Sequence, residues 1–588
     1  MCGIAGVYHR DLDRGCSPEL LERMVSVLQH RGPDDQGLYL DGGIALGARR
    51  LEIIDAAGAA QPLFNEDRTI AVVFNGEIYN FRELRAELAA RGHRFSTVGD
   101  GEVIAHAYEE YGAGCVERLR GMFALAVWDQ RRRELLLARD RVGIKPLYYH
   151  WDGRRLLFAS EIKSILQDPT VSRAIDPLAL DDYLTLHYIP APKSIFTSIR
   201  KLPPAHLLRV STAGLHAQEY WDIAFAPGPP QSDADAVAEL RWRLREVVSS
   251  HLISDAPVGV FLSGGVDSSA LAATMAELAG PIETVSMGFA DRELNELHFS
   301  ETVAGLCGAR ARSAVLEAGD VDILDALAWA YDEPFADSSM VPTWHLSRLA
   351  RERLKVCLAG DGGDELFAGY PRFGRFVRLS EGDPRAAERE YFYRKTVKMP
   401  SLRRLYGSWL GGAVADYDPF SVFEPHFARA RDLDPLSRVQ YVEIKTYLVG
   451  DLLTKVDRAS MAHGLEVRVP FLDHELIEYA ARLPSAQKLR DGVDKFLLKE
   501  ALRDRLPAKV LDRPKMGFSM PLARWLREDL SGLFERRALA EAMVLPELFD
   551  LEPIRQWWSE HRAGSHDHSR LLWSLLVLES WGRRFLVA

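Results

Sequence analysis

The sequence has few cysteines, no long apolar run and no excess of positive charge, and each of these shortages excludes a class of protein. Five cysteines scattered over 588 residues form neither a disulfide framework nor the close spacing of a metal site. No apolar run reaches the roughly 20 residues that a membrane-spanning helix needs. A net charge of −11 argues against a general nucleic-acid-binding surface. We therefore expect neither a membrane nor a nucleic acid as a partner.

The start of the chain and its length indicate the compartment and the number of domains. The sequence becomes polar at His9, Arg10 and Asp11, so we expect no signal peptide and a reducing, cytoplasmic setting. A chain of 588 residues, with 47% hydrophobic and 27% charged residues, is typical of a globular protein of about two to four domains.

The distribution of Pro, Gly and small polar residues divides the chain in two. These residues are concentrated at 225–236, just before a helix whose apolar positions are Val237, Leu240, Leu244 and Val248. We predict a first domain over residues 1–210, a linker over 211–236 and a second domain over 237–588.

The first domain has the pattern of strands covered by helices. Apolar runs at 70–74, 122–127 and 135–138 predict strands, and the last two are separated by a polar stretch typical of a hairpin. Apolar residues recur at helical spacing at 81, 84 and 88, and again at 103, 107 and 111. This pattern predicts a layered α/β sandwich.

The opening residues, Met-Cys-Gly-Ile-Ala-Gly, place a cysteine where it can act as a nucleophile. If Met1 is removed, Cys2 carries both a thiol and a free α-amine, whose usual pKa of about 8 suits it to accept the thiol proton. Cys2 is then a self-activated catalyst of acyl transfer. The alternative, if Cys2 is considered without the rest of the sequence, is that it is an ordinary small residue near a chain terminus.

A strand, a glycine turn and a helix follow one another at the start of the second domain. The apolar run 258–262 precedes Ser-Gly-Gly-Val-Asp-Ser-Ser at 263–269, after which the composition is helical. Adjacent glycines, three hydroxyls and a helix N-terminus favour an anion, so we predict a phosphate or pyrophosphate site here. Without Gly-Lys-Ser/Thr the turn is not a Walker A loop, and a plain strand-to-helix turn is the alternative. Further patterns at 285–289 and 299–306 predict a parallel sheet with ligands at the carboxyl ends of its strands.

Acidic residues crowd a second glycine-rich turn. The apolar run 356–359 leads into Gly-Asp-Gly-Gly-Asp-Glu at 360–365. Carboxylates beside a phosphate site would repel the ligand without a cation between them, so we expect Mg²⁺ held by Asp267 and Asp364. A solvated acidic loop is the alternative. Lys515 is a candidate cation over the same phosphates.

Seven motifs resemble those of one family. They are Met-Cys-Gly-Ile-Ala-Gly at 1–6, Arg-Gly-Pro-Asp at 31–34, Arg-Leu at 50–51, Phe-Asn-Gly-Glu-Ile-Tyr-Asn at 74–80, Ser-Gly-Gly-Val-Asp-Ser at 263–268, Gly-Asp-Gly-Gly-Asp-Glu at 360–365 and Glu-Val-Arg-Val-Pro-Phe-Leu-Asp at 466–473. Through them, nearly the whole chain resembles the glutamine-dependent asparagine synthetases, in which a class II glutaminase is fused to a PP-loop ATP pyrophosphatase domain. The resemblance implies an α/β fold: an N-terminal nucleophile αββα sandwich, followed by a parallel-sheet α/β domain with a helical C-terminal part.

The resemblance implies a role for each residue of two sites. Cys2 attacks glutamine, Asn75 and Gly76 form the oxyanion hole and contact the substrate, and the charged groups of glutamine are held by Arg50, Glu77 and Asp100. The residues implied in ATP binding are Leu262, Ser263, Gly264, Gly265, Asp267, Ser268, Met287, Ala359 and Gly360. Asp361 is placed near the acceptor, and Lys515 joins the catalytic residues.

The implied reaction has two halves. A thioester at Cys2 forms with loss of ammonia and is hydrolysed to glutamate. In the other half, an acceptor carboxylate attacks the α-phosphate of ATP to give an acyl-adenylate and pyrophosphate, and ammonia then displaces AMP. The partners are glutamine, ATP and a carboxylate acceptor. A homodimer is one expected assembly, and the oligomeric state is otherwise left open.

Two departures from the family pattern concern the acceptor. Asp361 stands where the family usually carries a glutamate. The segment 331–339 contains three acids and no cation before Arg348, although well-studied asparagine synthetases carry an arginine here that helps to grip aspartate. Aspartate is the expected acceptor, and a uronic acid or a peptidoglycan precursor for the cell envelope is the alternative.

Two rivals come from other classes of protein. One is a ligase that has lost its glutaminase function, and the other is a non-catalytic scaffold built on the same fold. The presence of Cys2, Asn75 and Asp100 argues against the first. The intact nucleophile, phosphate loop and metal-site acids argue against the second.

Overall fold

The computed structural model describes residues 2–56, 58–226, 228, 231–291, 293–321, 323–397, 402–518, 520–539 and 546–587. Met1 and three residues of the predicted linker, at 227, 229 and 230, lie outside the described residues. Within the described ranges, no helix combines the length and the apolarity needed to cross a membrane.

Two antiparallel sheets of six strands form the first half of the chain. In spatial order, the first sheet contains Arg200–Lys201, Tyr148–Trp151, Arg155–Ala159, Cys2–His9, Ile44–Arg50 and Asp35–Asp41. The second sheet contains Gly214–Glu219, His206–Ser211, Glu134–Arg139, Gly121–Asp129, Ile70–Ile78 and Leu63–Phe64. Ile4 and Leu46 of the first sheet share a buried cluster with Val73, Ala126 and Leu137 of the second. The two sheets therefore pack face to face.

Helices cover the outer faces of both sheets. Helix Pro18–Ser26 contacts the strands Cys2–His9 and Ile44–Arg50 of the first sheet. Helices Phe81–Ala90 and Glu102–Tyr111 pack on the second sheet through their apolar faces. The remaining helices of this half are Cys115–Arg118, Ile162–Ile165 and Pro177–Leu186, with a 3₁₀ turn at Gly112–Gly114. The predicted αββα sandwich is confirmed, as are the strands and helices that the apolar periodicity located.

A five-stranded parallel sheet lies at the centre of the second half. Its strands are, in spatial order, Arg310–Leu316, Glu283–Phe289, Val258–Phe261, Val356–Leu358 and Glu466–Arg468. The strand order reverses between Val258–Phe261 and Val356–Leu358, which is the position where open α/β sheets bind ligands. The parallel sheet predicted from the sequence is confirmed, and so are its strands at 258–262, 285–289 and 356–359, to within two residues.

Helices surround the parallel sheet and form the C-terminal part of the chain. In the described ranges, the α-helices include Asp233–His251, Val266–Ala279, Leu297–Leu306, Leu324–Tyr331, Met340–Arg351, Gly363–Phe367, Pro371–Ser380, Pro384–Lys395, Ser408–Ala413, Glu424–Arg429, Pro435–Glu443, Thr454–Met461, His474–Arg482, Ser485–Lys488, Phe496–Leu502, Ala508–Leu511, Leu522–Arg527, Ser531–Phe534, Leu551–Arg562 and Ser569–Phe585. Short 3₁₀ turns lie at Ala318–Val321, Pro419–Val422, Pro470–Leu472 and Pro546–Leu548, and π-helical turns at Ile444–Leu453 and Glu535–Leu539.

The predicted linker 211–236 carries regular structure at both ends. Strand Gly214–Glu219 pairs with His206–Ser211 at the edge of the second sheet. Helix Asp233–His251 begins before the apolar positions that located it, because its first turn is acidic and polar. Ser232 caps this helix by accepting the backbone N–H of Asp235 over 3.2 Å.

Candidate active sites

Cys2 is the first residue of strand Cys2–His9 in the first sheet. It pairs with Arg50 of the neighbouring strand, and only 5% of its surface is exposed. Burial raises the pKa of the Cys2 thiol. The thiol must lose its proton to become the attacking thiolate, so it needs a proton acceptor beside it.

Asn75 and Gly76 lie beside Cys2, near the end of strand Ile70–Ile78. The backbone N–H of Cys2 donates to Asn75 Oδ1 over 3.0 Å. Asn75 Nδ2 is buried and has no hydrogen-bond partner among the described residues. A Cβ on Gly76 would lie 2.0 Å from the carbonyl oxygen of Met122, so only glycine lets the two strands approach this closely. An available amide donor beside the thiol is what an oxyanion hole requires.

Gln61 contacts the thiol, and the sequence analysis did not identify it. Its Nε2 donates to Cys2 Sγ over 3.3 Å and to the carbonyl oxygen of Phe74 over 2.9 Å. Its Oε1 accepts the backbone N–H of Phe74 over 2.8 Å, so the amide is fixed against one residue of the strand. A donor to sulfur favours the thiolate and opposes the effect of burial.

Two buried acids, Glu77 and Asp100, lie next to the oxyanion-hole pair. Asp100 Oδ2 accepts the backbone N–H of Ile78 over 2.9 Å. Burial, with repulsion from Asp100, raises the pKa of Glu77 well above its usual range, and burial raises the pKa of Asp100 to about 6. Glu77 also lies 3.3 Å from a guanidinium nitrogen of Arg468, in the last strand of the parallel sheet. Such an acid pair can hold an ammonium group, and Arg468 connects it to the second half of the chain.

The guanidinium of Arg50 is bound by the backbone in this structure. It donates to the carbonyl oxygens of Ile54, Asp55 and Ala56 over 3.2, 2.6 and 2.9 Å. These bonds hold the loop 54–56 against the first sheet. If Arg50 holds the carboxylate of glutamine, as predicted, its guanidinium must share its N–H donors with this loop or release some of the loop carbonyls.

A cavity of about 330 Å³ lies where the strand order of the parallel sheet reverses. The predicted site residues that line it are Leu262, Ser263, Gly265, Asp267, Ser268, Met287, Ala359, Gly360, Asp361, Asp364 and Lys515. Gly264 does not line the cavity and instead shapes the turn. Its φ is 74°, and a Cβ here would lie 2.6 Å from Phe299 Cβ. The predicted contact of Gly264 with the nucleotide stays a prediction beside this role in the loop.

The loop 263–269 has the geometry of an anion site. Ser263 Oγ lies 3.0 Å from Ser268 Oγ, and the Ser268 hydroxyl donates to the carbonyl oxygen of Gly265 over 3.2 Å. Helix Val266–Ala279 begins within the loop. Hydroxyls gathered at a helix N-terminus favour a phosphate group.

Lys495 lies between the two carboxylates that the sequence assigns to magnesium. Its Nζ contacts Asp267 Oδ2 at 2.5 Å and Asp364 Oδ1 at 2.6 Å, and Lys515 Nζ lies 2.6 Å from Asp364 Oδ2. Burial alone would raise the pKa of Asp364, but the two ammonium groups hold it well below its usual range. Gly369 permits this arrangement, because a Cβ there would lie 2.1 Å from Lys495 Cε.

The carboxylate donors of this cavity fit a magnesium ion. Asp267 Oδ1 is buried and has no hydrogen-bond partner in the described part of the chain, so one carboxylate oxygen is available. A Cβ on Gly363 would lie 2.4 Å from this oxygen, which shows how closely the acidic turn approaches Asp267. Carboxylate oxygens beside a phosphate site are the ligands that Mg²⁺ prefers. Asp267 and Asp364 would hold the ion beside the Lys495 ammonium or in its place.

Comparisons with known proteins agree with this geometry. A family model described as asparagine synthase matches residues 239–583, and one described as a glutamine amidotransferase domain matches residues 1–221. The chain belongs to the asparagine synthase family. Asparagine synthetase (glutamine-hydrolyzing) 1 of Bacillus subtilis (strain 168) is 32% identical, over 99% of this chain and 96% of its own. Asparagine synthetase (glutamine-hydrolyzing) 3 of the same organism is 34% identical, over 88% of this chain and 87% of its own.

Membership of the asparagine synthase family confirms the resemblance that the sequence motifs indicated. The chain is a glutamine-hydrolysing ligase of the asparagine synthetase type. The family implies glutamine, ATP and a carboxylate as substrates. Because the relatives that match over nearly the full chain are glutamine-hydrolysing synthetases, neither the non-catalytic scaffold nor the ligase that has lost its glutaminase function is supported.

The cavity of this asparagine synthase family member contains a cation that the sequence analysis did not place there. Lys455 Nζ contacts Asp337 Oδ2 and Ser339 Oγ, both at 2.8 Å, and all three residues line the cavity. Lys455 belongs to helix Thr454–Met461, 118 residues after Asp337 in the chain. Segment 331–339 itself contains no cation, but helix Thr454–Met461 places the Lys455 ammonium beside it in the fold.

The same helix, Thr454–Met461, connects the two sites of this family member. Asp457 accepts two hydrogen bonds, of 2.8 and 3.0 Å, from the guanidinium of Arg31. Arg31 is fully buried and also donates to the carbonyl oxygen of Cys2 over 3.3 Å. Lys455, two residues before Asp457, lines the cavity. One helix therefore contacts the wall of the second site and, through Arg31, the backbone of the nucleophile.

Proposed function

We propose that the chain releases ammonia from glutamine at Cys2 and delivers it, within the same chain, to an ATP-activated carboxylate. We propose aspartate as the acceptor and asparagine as the product. The connection of Cys2 through Arg31 and Asp457 to Lys455 in the cavity wall is the observation that carries the proposal. Ammonia released into bulk water would be protonated and would lose its reactive lone pair, so a buried path between the sites serves the reaction.

In the first half-reaction, Cys2 attacks the side-chain carbonyl of glutamine. With Met1 removed, the α-amine of Cys2 takes the position of the backbone N–H that donates to Asn75 Oδ1, and it accepts the thiol proton. Asn75 Nδ2 donates to the oxygen that becomes negative as sulfur adds, and Gln61 donates to the sulfur. The same amine returns the proton to the departing ammonia, and water then cleaves the thioester.

Replacing Asn75 by alanine is expected to slow glutamine hydrolysis by about 10²–10³-fold, because the oxyanion loses a buried donor. Glutamate release measures the effect, and synthesis from ammonium salts should be unchanged. Asn80→Ala is the matched control, since this asparagine of the same motif bonds to the backbone of Arg118 and Arg120. An Asn75→Ala variant that hydrolyses glutamine at the wild-type rate would remove Asn75 from the oxyanion hole.

The KM for glutamine is expected to rise as the pH falls through about 6, the raised pKa of Asp100. Below that pH the acid is protonated and no longer offers a negative charge to the α-ammonium of glutamine. The rise approaches about tenfold per pH unit at lower pH, since one proton is bound. Glu77, whose pKa burial also raises, acts in the same direction.

The measurement is the KM of glutamine hydrolysis on both sides of this pH. In Asp100→Asn the KM should already be high at neutral pH, and the part of the pH dependence that Asp100 causes should disappear. A wild-type KM that stays level through the same range would contradict the assignment of the ammonium to these acids.

In the second half-reaction, the cavity positions ATP and the acceptor. Lys495 and Lys515 supply positive charge to the phosphates, and Mg²⁺ held by Asp267 and Asp364 would stabilise the departing pyrophosphate. Asp361 lines the same cavity, and burial raises the pKa of its carboxyl. We place Asp361 near the acceptor.

The Lys455–Asp337 pair supports an amino acid as the acceptor. Its ammonium suits the carboxylate of an amino acid, and its carboxylate suits the α-ammonium. A uronic acid carries no ammonium group for Asp337, so this end of the cavity favours aspartate over a sugar acid.

The acceptor is tested with the full chain, glutamine, ATP and Mg²⁺, offering aspartate, a uronic acid or a peptidoglycan precursor in separate reactions. Pyrophosphate and the amidated product, identified by mass, are followed against a reaction without acceptor. We expect asparagine with aspartate. Amidation of another acid without asparagine formation would overturn the acceptor and leave the two-site scheme in place.

The domain boundaries, the homodimer and the cytoplasmic setting stay predictions. For the boundaries, we propose that the link between the two domains spans residues 220–232, between strand Gly214–Glu219 and helix Asp233–His251.

A further inference from the structure

Four side chains of the first half converge at a place that neither site uses. The imidazoles of His93 and His106 and the carboxylates of Glu66 and Glu109 each offer one ligand atom, and these atoms all lie within 4.8 Å of one another. Glu66 lies in the turn after the edge strand Leu63–Phe64 of the second sheet, and His93 lies in the loop after helix Phe81–Ala90. His106 and Glu109 share helix Glu102–Tyr111, where three-residue spacing places them on one face.

His106 has the environment of an unsatisfied ligand. Its side chain is fully buried, and neither ring nitrogen makes a hydrogen bond among the described residues. Carboxylate oxygens of Glu66 and Glu102 lie 3.4 and 3.6 Å from its Nδ1 and Nε2, without hydrogen-bond geometry. A buried imidazole without hydrogen bonds is costly, and a metal ion bound to it removes that cost.

The two carboxylates have no lysine or arginine side chain as a partner in the described structure. Glu66 accepts the backbone N–H of Arg94 over 2.7 Å, and Glu109 accepts the side-chain amide of Asn65 over 2.9 Å. Their ion pairs in the described ranges are with the two histidines, at 3.3 to 3.9 Å. A divalent cation would compensate these two partly buried negative charges, and the two hydrogen bonds orient the carboxylates for it.

We infer that Glu66, His93, His106 and Glu109 form a binding site for a divalent transition metal of the zinc class. Two imidazole nitrogens and two carboxylate oxygens make a tetrahedral zinc set, whereas Mg²⁺ and Ca²⁺ prefer oxygen ligands alone. Bonds of about 2.0–2.2 Å require the ligand atoms to draw closer together than they lie here. His93 and both glutamates are partly exposed, so they have room to close around the ion and leave it a path of entry.

The consequence of the site is structural. It ties a turn, a loop and helix Glu102–Tyr111 together, and Asp100 lies just before that helix. Metal binding is therefore expected to stabilise the first half of the chain against unfolding. The inference is independent of the proposed function, because none of the four ligands takes part in it.

The test titrates the full chain with Zn²⁺ alone, after chelator treatment and dialysis, by calorimetry and by thermal unfolding. The wild type should bind zinc and unfold at a higher temperature when zinc is present. His93→Gln and Glu109→Gln, which alter partly exposed ligands, should each weaken binding by at least about 10–100-fold. They should also lose most of the thermal shift.

Two controls make the outcome specific to this cluster. Glu83→Gln changes an exposed acid in the first turn of helix Phe81–Ala90 and should bind zinc like the wild type. His568→Gln disrupts a second histidine and acid group, Glu560, His566 and His568, and should also bind like the wild type. Absence of zinc binding in the wild type, or binding that His93→Gln and Glu109→Gln leave unchanged, would overturn the inference. Loss of binding in His568→Gln alone would assign the zinc to the other group and overturn it too.

Discussion

Cys2→Ala is expected to lose asparagine formation from glutamine by at least about 10³-fold and to keep asparagine formation from ammonium salts. The substitution removes the group that attacks glutamine. It leaves intact the cavity of the second half, in which ATP and the acceptor react. Glutamate release and asparagine formation, each measured with glutamine and with an ammonium salt, separate the two effects.

Cys16→Ala is the matched control for this prediction. Cys16 is also a free thiol of the first half and is partly buried, but no residue of the proposed glutaminase site is among its hydrogen-bond partners in the described structure. It should retain both activities. Equal loss of glutamine-fed and ammonium-fed synthesis in Cys2→Ala would contradict the separation of the two sites.

Asp267→Asn is expected to suppress pyrophosphate release by about 10²–10³-fold with either nitrogen source. Asp267 combines an ion pair with Lys495 and an available buried oxygen, and the amide keeps the shape but removes the charge. Basal glutamine hydrolysis should remain, because Cys2, Asn75 and Gln61 lie in the other half of the chain. Pyrophosphate release at several Mg²⁺ concentrations measures the effect.

Asp504→Asn provides the comparison for this variant. Asp504 is an exposed acid of the same half that pairs with Arg241, and its replacement should leave pyrophosphate release near the wild-type rate. Thermal unfolding of both variants shows whether Asp267→Asn has kept its fold, since Lys495 retains Asp364 as a partner. A folded Asp267→Asn that releases pyrophosphate at the wild-type rate would remove Asp267 from the metal site and from phosphate binding.

The parts of the structure that depend on local pattern were predictable from the sequence. Apolar runs located several strands of both halves, helical spacing of apolar residues located several helices, and the alternation of strand and helix indicated the parallel sheet. Because ligands bind at the carboxyl ends of the strands of such a sheet, the sequence alone indicates that the turns after Phe261 and Leu358 belong to one site. The second turn needs a glycine at position 363, because a side chain there would collide with Asp267.

The residues that sequence reasoning missed are brought in from distant segments. Lys495 and Lys455 are single lysines far from the motifs they contact, and lysines are too common for a position to stand out. Gln61 contacts the thiol through a loop with no periodic pattern. Arg50 was located, but its bonds to the loop 54–56 depend on a backbone path that composition does not indicate.

In the proposed reaction, the amide nitrogen passes from glutamine at Cys2 to the activated acceptor without mixing with the solvent. The most direct measurement supplies glutamine labelled with nitrogen-15 in its side-chain amide, together with ATP, Mg²⁺, aspartate and an excess of unlabelled ammonium salt. We expect asparagine whose new amide carries nitrogen-15, with one pyrophosphate released for each molecule formed. Asparagine whose amide nitrogen matches the unlabelled ammonium of the solution would contradict the account.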